Sequence, residues 1–245
     1  MKVVVVGKGG SGKTTTSAVL ARELGARGRA VVAMDCDANA NLALSLGLGL
    51  EVAEDVLSVR ERVDAGEEPH VGDIDELLRR FARPGPDGSR FLVAQRIERP
   101  GAGCPCCGMS PQQLLNELPR SDEVVVADME AGTGTLTRVD AGAVDVAVIV
   151  AEPTAKSLDV GERAHELALA KEVPTVLLVV NRVRDATDLD QLRGRFDGLR
   201  RIVVPDDPAV TRADRDGSSP VDVEPTPPAV SALRGLADLL GEPAG

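Results

Sequence analysis

The chain has 245 residues, 39 of them Asp or Glu against 28 Lys or Arg, for a formal charge of −11. A chain this acidic is a poor candidate for nonspecific DNA binding, which needs clustered cations, and anionic membranes should repel it. With three Phe and no Trp or Tyr, its core has to be aliphatic, which suits a parallel sheet covered by helices. No apolar run is long enough to span a bilayer, and Met1-Lys2 leads straight into a strand rather than a signal peptide. A cytoplasmic, reducing setting is therefore expected, where the four cysteines are free or metal-bound rather than disulfide-bonded.

In chain order, Lys2 to Val6 reads as a buried parallel strand, because it is apolar without alternation. Gly7 to Thr14 follows, and Thr14 to Arg27 reads as a helix stopped near Gly28. Ala30 to Met34 is a second buried strand, ending in Asp35-Cys36-Asp37, and a short helix is expected from about Asn41 to Leu46. Residues 51 to 89 are charged and weakly patterned; within them Asp73 to Phe81 reads as a helix and Pro84 to Ser89 as a loop. Arg90 to Ala94 is a candidate strand. The tight loop Gly101 to Gly108 leads to Ser110-Pro111, a good N-cap and first helical position for a segment ending near Leu118. Val124 to Ala127, Val144 to Val150, Val176 to Val180 and Ile202 to Val204 are further strands. They end in Asp128, Glu152-Pro153-Thr154, Asn181-Arg182 and Pro205-Asp206-Asp207 respectively, with a helix to about Lys171 after Thr154. A last amphipathic helix runs from about Val230 to Leu240. Alternating strands and helices without a linker imply one α/β domain over residues 1–245 with a mostly parallel sheet, and a cysteine-containing insert around 95–120. Ligands then gather at the carboxyl ends of the strands, where the polar motifs lie.

Gly7-Lys8-Gly9-Gly10-Ser11-Gly12-Lys13-Thr14 is a G-x-x-x-x-G-K-T phosphate loop with a strand before it and a helix after it. Successive inward N–H groups and the helix N-terminus form an anion cradle. Lys13 reaches the β- and γ-phosphates and the Thr14 hydroxyl ligates Mg²⁺. Asp128 closes an apolar strand, where a carboxylate can hold a Mg²⁺-bound water. Gly132 offers a backbone able to swing toward a γ-phosphate. Asp35 and Asp37 share a face, and one of them can orient an attacking water; the alternative for each is a cap or turn carboxylate. Asn181 is a candidate for the adenine edge or a strand-end turn. The nucleotide set is thus Gly9, Gly10, Ser11, Gly12, Lys13, Thr14 and Thr15 with Asn181, Pro205 and Asp206.

These residues carry a resemblance. The loop, with its early lysine Lys8, resembles the deviant Walker A loop of the MinD/ParA/nitrogenase-iron-protein group of P-loop ATPases. The resemblance implies that Lys8 crosses an ATP-bound homodimer to touch the partner's phosphates, that Asp37 is the switch I aspartate positioning the hydrolytic water, and that Asp128 to Gly132 is switch II. Within that group the chain is similar to the CooC-type maturation ATPases of nickel carbon monoxide dehydrogenase. The features are Asp35-x-Asp37-x-Asn39-Ala40-Asn41-Leu42, Asp128-Met129-Glu130-Ala131-Gly132, the Glu152-Pro153-Thr154-x-x-Ser157 turn and a cysteine pair. One departure is visible: where those proteins carry Ile-Glu-His-Leu, this chain has Thr133-Gly134-Thr135-Leu136. The resemblance implies ATP hydrolysis and a client metalloenzyme of the carbon monoxide dehydrogenase kind; the net charge of −11 is what argues against nucleic acid and membrane as partners.

Cys104, Cys106 and Cys107 supply three thiolates in one chain, one short of a closed tetrahedral site. Two chains meeting there supply four. CooC-type proteins use a Cys-x-Cys pair, which matches Cys104 and Cys106, whereas Cys104-Pro105-Cys106-Cys107-Gly108 also reads as a zinc knuckle using Cys104 and Cys107. Thiolates accept Ni²⁺ or Zn²⁺ alike, so both metals stay open. Cys36, alone between two carboxylates, reads as a small structural residue.

Overall fold

Four valines in a row can be buried only if both faces of their strand are covered, and that is how the first strand sits. The computed structural model describes residues 1–37, 41–49, 73–94, 110–118 and 122–241, with scattered positions between 51 and 71. In chain order the strands are β1 (Lys2–Gly7), β2 (Val31–Asp35), β3 (Arg83–Pro84), β4 (Ser89–Val93), β5 (Val124–Asp128), β6 (Val146–Ala151), β7 (Thr175–Val183) and β8 (Arg200–Pro205). The helices are α1 (Lys13–Ala26), α2 (Leu42–Leu46), α3 (Ile74–Phe81), α4 (Pro111–Glu117), α5 (Gly134–Thr137), α6 (Ala155–Ala170), α7 (Ala186–Asp190), α8 (Pro208–Arg215) and α9 (Pro228–Gly241). Among the described residues the strands form one sheet in the order β3-β4-β2-β5-β1-β6-β7-β8. Every pairing is parallel except β3 with β4. The α/β class and mostly parallel sheet expected from the sequence are what the chain adopts.

Val3 and Val5 pack on one side, with Leu20 of α1, Leu42 of α2 and Leu233 of α9. Val4 and Val6 pack on the other, with Leu78 of α3, Leu115 of α4 and Leu158 of α6. The chain leaves β1 for β2 on one side, returns to β5 beside β1, and continues to β6 on the other side. The direction of winding thus reverses at β1, and a crevice opens at its carboxyl end.

Four local features differ from expectation. The stretch Pro84 to Ser89 is not a plain loop: Pro84 pairs with Arg90 across the antiparallel edge, and Ser89 starts β4. Between them a 3-10 turn, Pro86–Gly88, carries Asp87 at φ 56°. That conformation is held by Arg22, whose Nε donates to Asp87 Oδ2 at 2.7 Å. The short helices α5, α7 and α8 are not among the elements expected from the sequence. Two of them are set by caps instead: Asp185 accepts from the Thr187 and Asp188 amides, and Asp207 from the Ala209 amide. The Ser110 cap is as expected, and is completed by Gln113 in a capping box. Cys104, Cys106 and Cys107, with Asn39 and Ala40, lie outside the described residues.

Candidate nucleotide-binding site

The phosphate loop runs from Gly7 at the end of β1 to Gly12, the N-cap of α1. Gly12 has φ +97°, and a Cβ on it would lie 2.2 Å from Asn181 Nδ2. A Cβ on Gly7 would lie 2.2 Å from the Val150 carbonyl oxygen. Both positions need glycine for the loop to pass between β6 and β7. Helix α1 begins with no side-chain cap and no acidic residue in its first turn. Its first N–H groups and the positive end of its dipole are left for an anion. The Ser11 hydroxyl is buried within the loop without a hydrogen-bond partner, a second sign of a cradle built for a polar guest.

Lys13 is 7 % exposed, and its Nζ donates to the Lys8 carbonyl at 3.4 Å. Burial pulls its pKa down, while Asp128 and Asp37 oppose that shift. A poorly hydrated ammonium gains most from an arriving phosphate. Lys8 lies further out, donating from Nζ to the Gly9 carbonyl at 3.3 Å. Thr14 and Thr15 are half-buried in the first turn of α1.

The carboxylates come from the neighbouring strands. Asp35 of β2 stands directly opposite Asp128 of β5 in the parallel register. Asp128 accepts from the Ser17 hydroxyl at 3.2 Å. Burial raises its pKa to about 6, with the Thr14 hydroxyl, Lys13 and the Ser17 hydroxyl holding it down. Its link to Thr14 is the pairing a Mg²⁺ site needs. Asp35 is fully buried; its oxygens accept from the Asp37 amide at 3.1 Å and the Leu42 amide at 2.9 Å. Burial lifts it to about 7 against those two amides. Of the two aspartates the sequence left open, Asp35 is thus the one that ties the turn between β2 and α2, and Asp37 is half-buried at the mouth. Cys36 is buried, and burial together with Asp35 pushes its thiol up, as a structural cysteine should be. The Gly132 amide donates to the Gly7 carbonyl at 3.0 Å, pinning the segment after Asp128 to the end of β1.

On the other side of the loop, Asn181, Pro205 and Asp206 line a cleft of about 220 Å³ together with Gly10 and Gly12 to Thr15. Asn181 does more than the sequence suggested: its Nδ2 donates to the Ser11 carbonyl at 2.7 Å while its Oδ1 accepts from the Arg182 amide at 3.0 Å. Arg182 was missed altogether. It donates from Nη1 to the Gly10 carbonyl at 3.1 Å and to Glu152. Its position directly after Asn181, where the apolar run of β7 stops although the strand continues to Val183, was the one available signal. Among the described residues no cluster of three or more His, Cys, Asp or Glu could hold a metal.

A glycine loop between parallel strand and helix, a buried lysine and a hydroxyl at its end, and a carboxylate on the adjacent strand define a P-loop nucleotide-binding domain. The chain belongs to the family described as the CobQ/CobB/MinD/ParA nucleotide binding domain, which matches residues 2–221. It is 32% identical over 243 residues to the carbon monoxide dehydrogenase accessory protein CooC of Rhodospirillum rubrum, covering 92% of this chain and 91% of that one. An uncharacterised ATP-binding protein of Methanocaldococcus jannaschii is 34% identical over 209 residues, 76% of each chain. Among solved structures, the cell division ATPase MinD of Pyrococcus furiosus superposes with a TM-score of 0.68 at 23% identity, covering 98% of this chain and 97% of that one.

Proposed function

We propose that this protein is a Mg²⁺-dependent ATPase that forms a homodimer on binding ATP, carries a thiolate-bound metal at the dimer contact, and assists insertion of that metal into a client metalloenzyme. The observation that carries the nucleotide half is the convergence of Lys13, Thr14, Asp37 and Asp128 on one uncapped helix N-terminus. The metal half is supported by the similarity to CooC over nine-tenths of both chains and by the cysteine spacing.

In this reading the amides of Gly9, Gly10 and Gly12 to Thr15, the buried Ser11 hydroxyl and the Lys13 ammonium hold the phosphates, and Asn181, Pro205 and Asp206 meet the adenine. The Thr14 hydroxyl and, through water, the Asp128 carboxylate hold Mg²⁺, which when bound supplies positive charge to offset that of the phosphates. Asp37 accepts a hydrogen bond from the attacking water and orients it. Lys8, on the outer side of the loop, reaches the partner's phosphates. Cys104 and either Cys106 or Cys107 from each protomer complete a four-thiolate site for Ni²⁺ or Zn²⁺. The client is an enzyme of the carbon monoxide dehydrogenase kind.

Metal-to-protein stoichiometry with and without a nonhydrolysable ATP analogue tests this. Half a metal per chain, bound more tightly with the analogue and lost in Cys104→Ser, is expected. Equal metal affinity with and without the analogue contradicts the coupling.

A positioning ATPase of the MinD kind is the competing reading. It needs a membrane-binding or basic face. In α9, Arg234 lies 3.4 Å from Glu23 of α1 and Asp238 accepts from Arg27, so that helix is turned to its neighbour through its charges. No helix among the described residues is long and apolar enough to cross a membrane.

A further inference from the structure

The Glu152-Pro153-Thr154-x-x-Ser157 turn and Arg182 take no part in the roles above, yet together they end on the phosphate loop. The pairing of β7 with β8 is irregular between Val180 and Val183, and Arg182 has a left-handed backbone with φ 58°. In a regular strand, successive side chains point to opposite faces. Here Asn181 and Arg182 both turn to the same loop. Asn181 holds the Ser11 carbonyl at 2.7 Å, and Arg182 holds the Gly10 carbonyl at 3.1 Å.

Arg182 is itself held. Its Nη1 lies 2.5 Å from Glu152 Oε1. Glu152 follows β6, and its amide donates at 3.0 Å to the hydroxyl of Ser157, which is fully buried in α6. The turn therefore holds the backbone of Glu152, its carboxylate pairs with the guanidinium, and the guanidinium binds a loop peptide.

The geometry of that peptide gives the contact its purpose. In a trans peptide the carbonyl and the N–H point in opposite directions. The Gly10–Ser11 peptide is held at both ends, by Arg182 on its oxygen and by the Lys8 carbonyl on its N–H at 3.2 Å. The next peptide is held by Asn181 on its oxygen, which sends the Gly12 N–H to the opposite side, the arrangement an anion cradle requires.

We propose that Arg182 is a positioning residue for nucleotide binding: anchored by Glu152, it sets the phosphate loop in its binding shape before the ligand arrives. Binding then carries less of the cost of ordering the loop. The inference rests on the ATP-binding reading above.

Calorimetric titration of the full chain with Mg·ADP and Mg·ATPγS tests it. Arg182→Gly removes the side chain while favouring the left-handed backbone. It should weaken both ligands about tenfold, the size of one charge-assisted hydrogen bond. Arg182→Lys, which keeps one donor, should recover part of the loss. Glu152→Gln keeps the Arg182 side chain but removes the charge that anchors it, and should weaken both ligands about threefold or more by the same reasoning. The double variant Glu152→Gln/Arg182→Gly should bind no more weakly than Arg182→Gly alone, because the two residues act in series. In steady-state turnover the loss should fall on KM, with kcat kept within about threefold. Wild-type affinity in Arg182→Gly overturns the proposal, as do additive losses in the double variant. If Arg182→Gly does not fold, wild-type affinity in Glu152→Gln overturns it instead. Failure of the wild type to bind either nucleotide overturns the ATP-binding reading and this inference with it, an outcome distinct from a wild type that binds and variants that bind equally.

Discussion

The two flanks of the phosphate loop are built on opposite electrostatic plans. Toward β7, the loop carbonyls of Gly10 and Ser11 accept from Arg182 and Asn181, so that flank is complete without a ligand. Toward β2 and β5, two buried carboxylates, Asp35 and Asp128, stand opposite each other across the sheet. Burial drives them to about 7 and about 6. Lys13 is close enough to oppose the Asp128 shift, yet burial still moves the lysine down and the aspartate up. Desolvation outweighs their attraction, as buried ion pairs often show. One flank is therefore a rigid frame, and the other is a reserve of negative charge that becomes favourable only when a cation joins it.

The sharpest way to break the frame is Gly12→Ala. The new Cβ would press on Asn181 Nδ2, forcing that amide off the Ser11 carbonyl, and the backbone at φ +97° disfavours alanine. The left-handed conformation and one lost hydrogen bond together should cost about 2–3 kcal/mol in urea unfolding, with Mg·ADP affinity falling as well. An unchanged unfolding midpoint would show that the frame is softer than described.

The charged flank is tested by Asp35→Asn, with a smaller effect. Asp35 is an acid whose folded pKa is raised, from about 4 to about 7. Its contribution to stability is full below about pH 4 and is lost as the pH climbs through about 7. In the wild type without ligand this group alone should make the protein about 2.5 kcal/mol less stable at pH 8 than at pH 5. Asp35→Asn should remove that share of the pH dependence in unfolding curves, at a roughly pH-independent cost for the amide left without an acceptor. An identical pH dependence in both proteins would place the titration elsewhere.

The frame and the charged flank also differ in how far the sequence revealed them. β1, β2, β5 and β6 are buried on both faces, so they appear as unbroken runs such as Val3 to Val6, and the phosphate loop stands between two of these signals. Asp128 was legible because it ends such a run. Spacing alone does not separate Asp35 from Asp37, and only the family resemblance singles out Asp37, because which carboxylate meets a backbone amide depends on how the chain turns after β2. The frame was hidden for a different reason. Asn181 reads as a strand-end residue in the sequence, but its bond to Ser11 spans 170 positions, and Arg182 reaches the loop only through an irregular β7. Helices α7 and α8 are specified by Asp185 and Asp207 at their caps rather than by an apolar stripe, and Asp207-Pro208 was the readable sign of the second.

Mg²⁺-dependent ATP turnover by the wild type, Lys13→Ala and Asp37→Ala, measured alongside nucleotide binding, decides whether the site hydrolyses the nucleotide it holds. The wild type should release phosphate from ATP. Lys13→Ala should lose binding and turnover together, and Asp37→Ala should bind ATP while its turnover falls at least about 100-fold, as expected when a water-orienting carboxylate is removed. A wild type that binds ATP without hydrolysing it would point to a nucleotide-controlled binding module instead, and a Lys13→Ala protein that turns over ATP at the wild-type rate would show that Lys13 does not hold the phosphates.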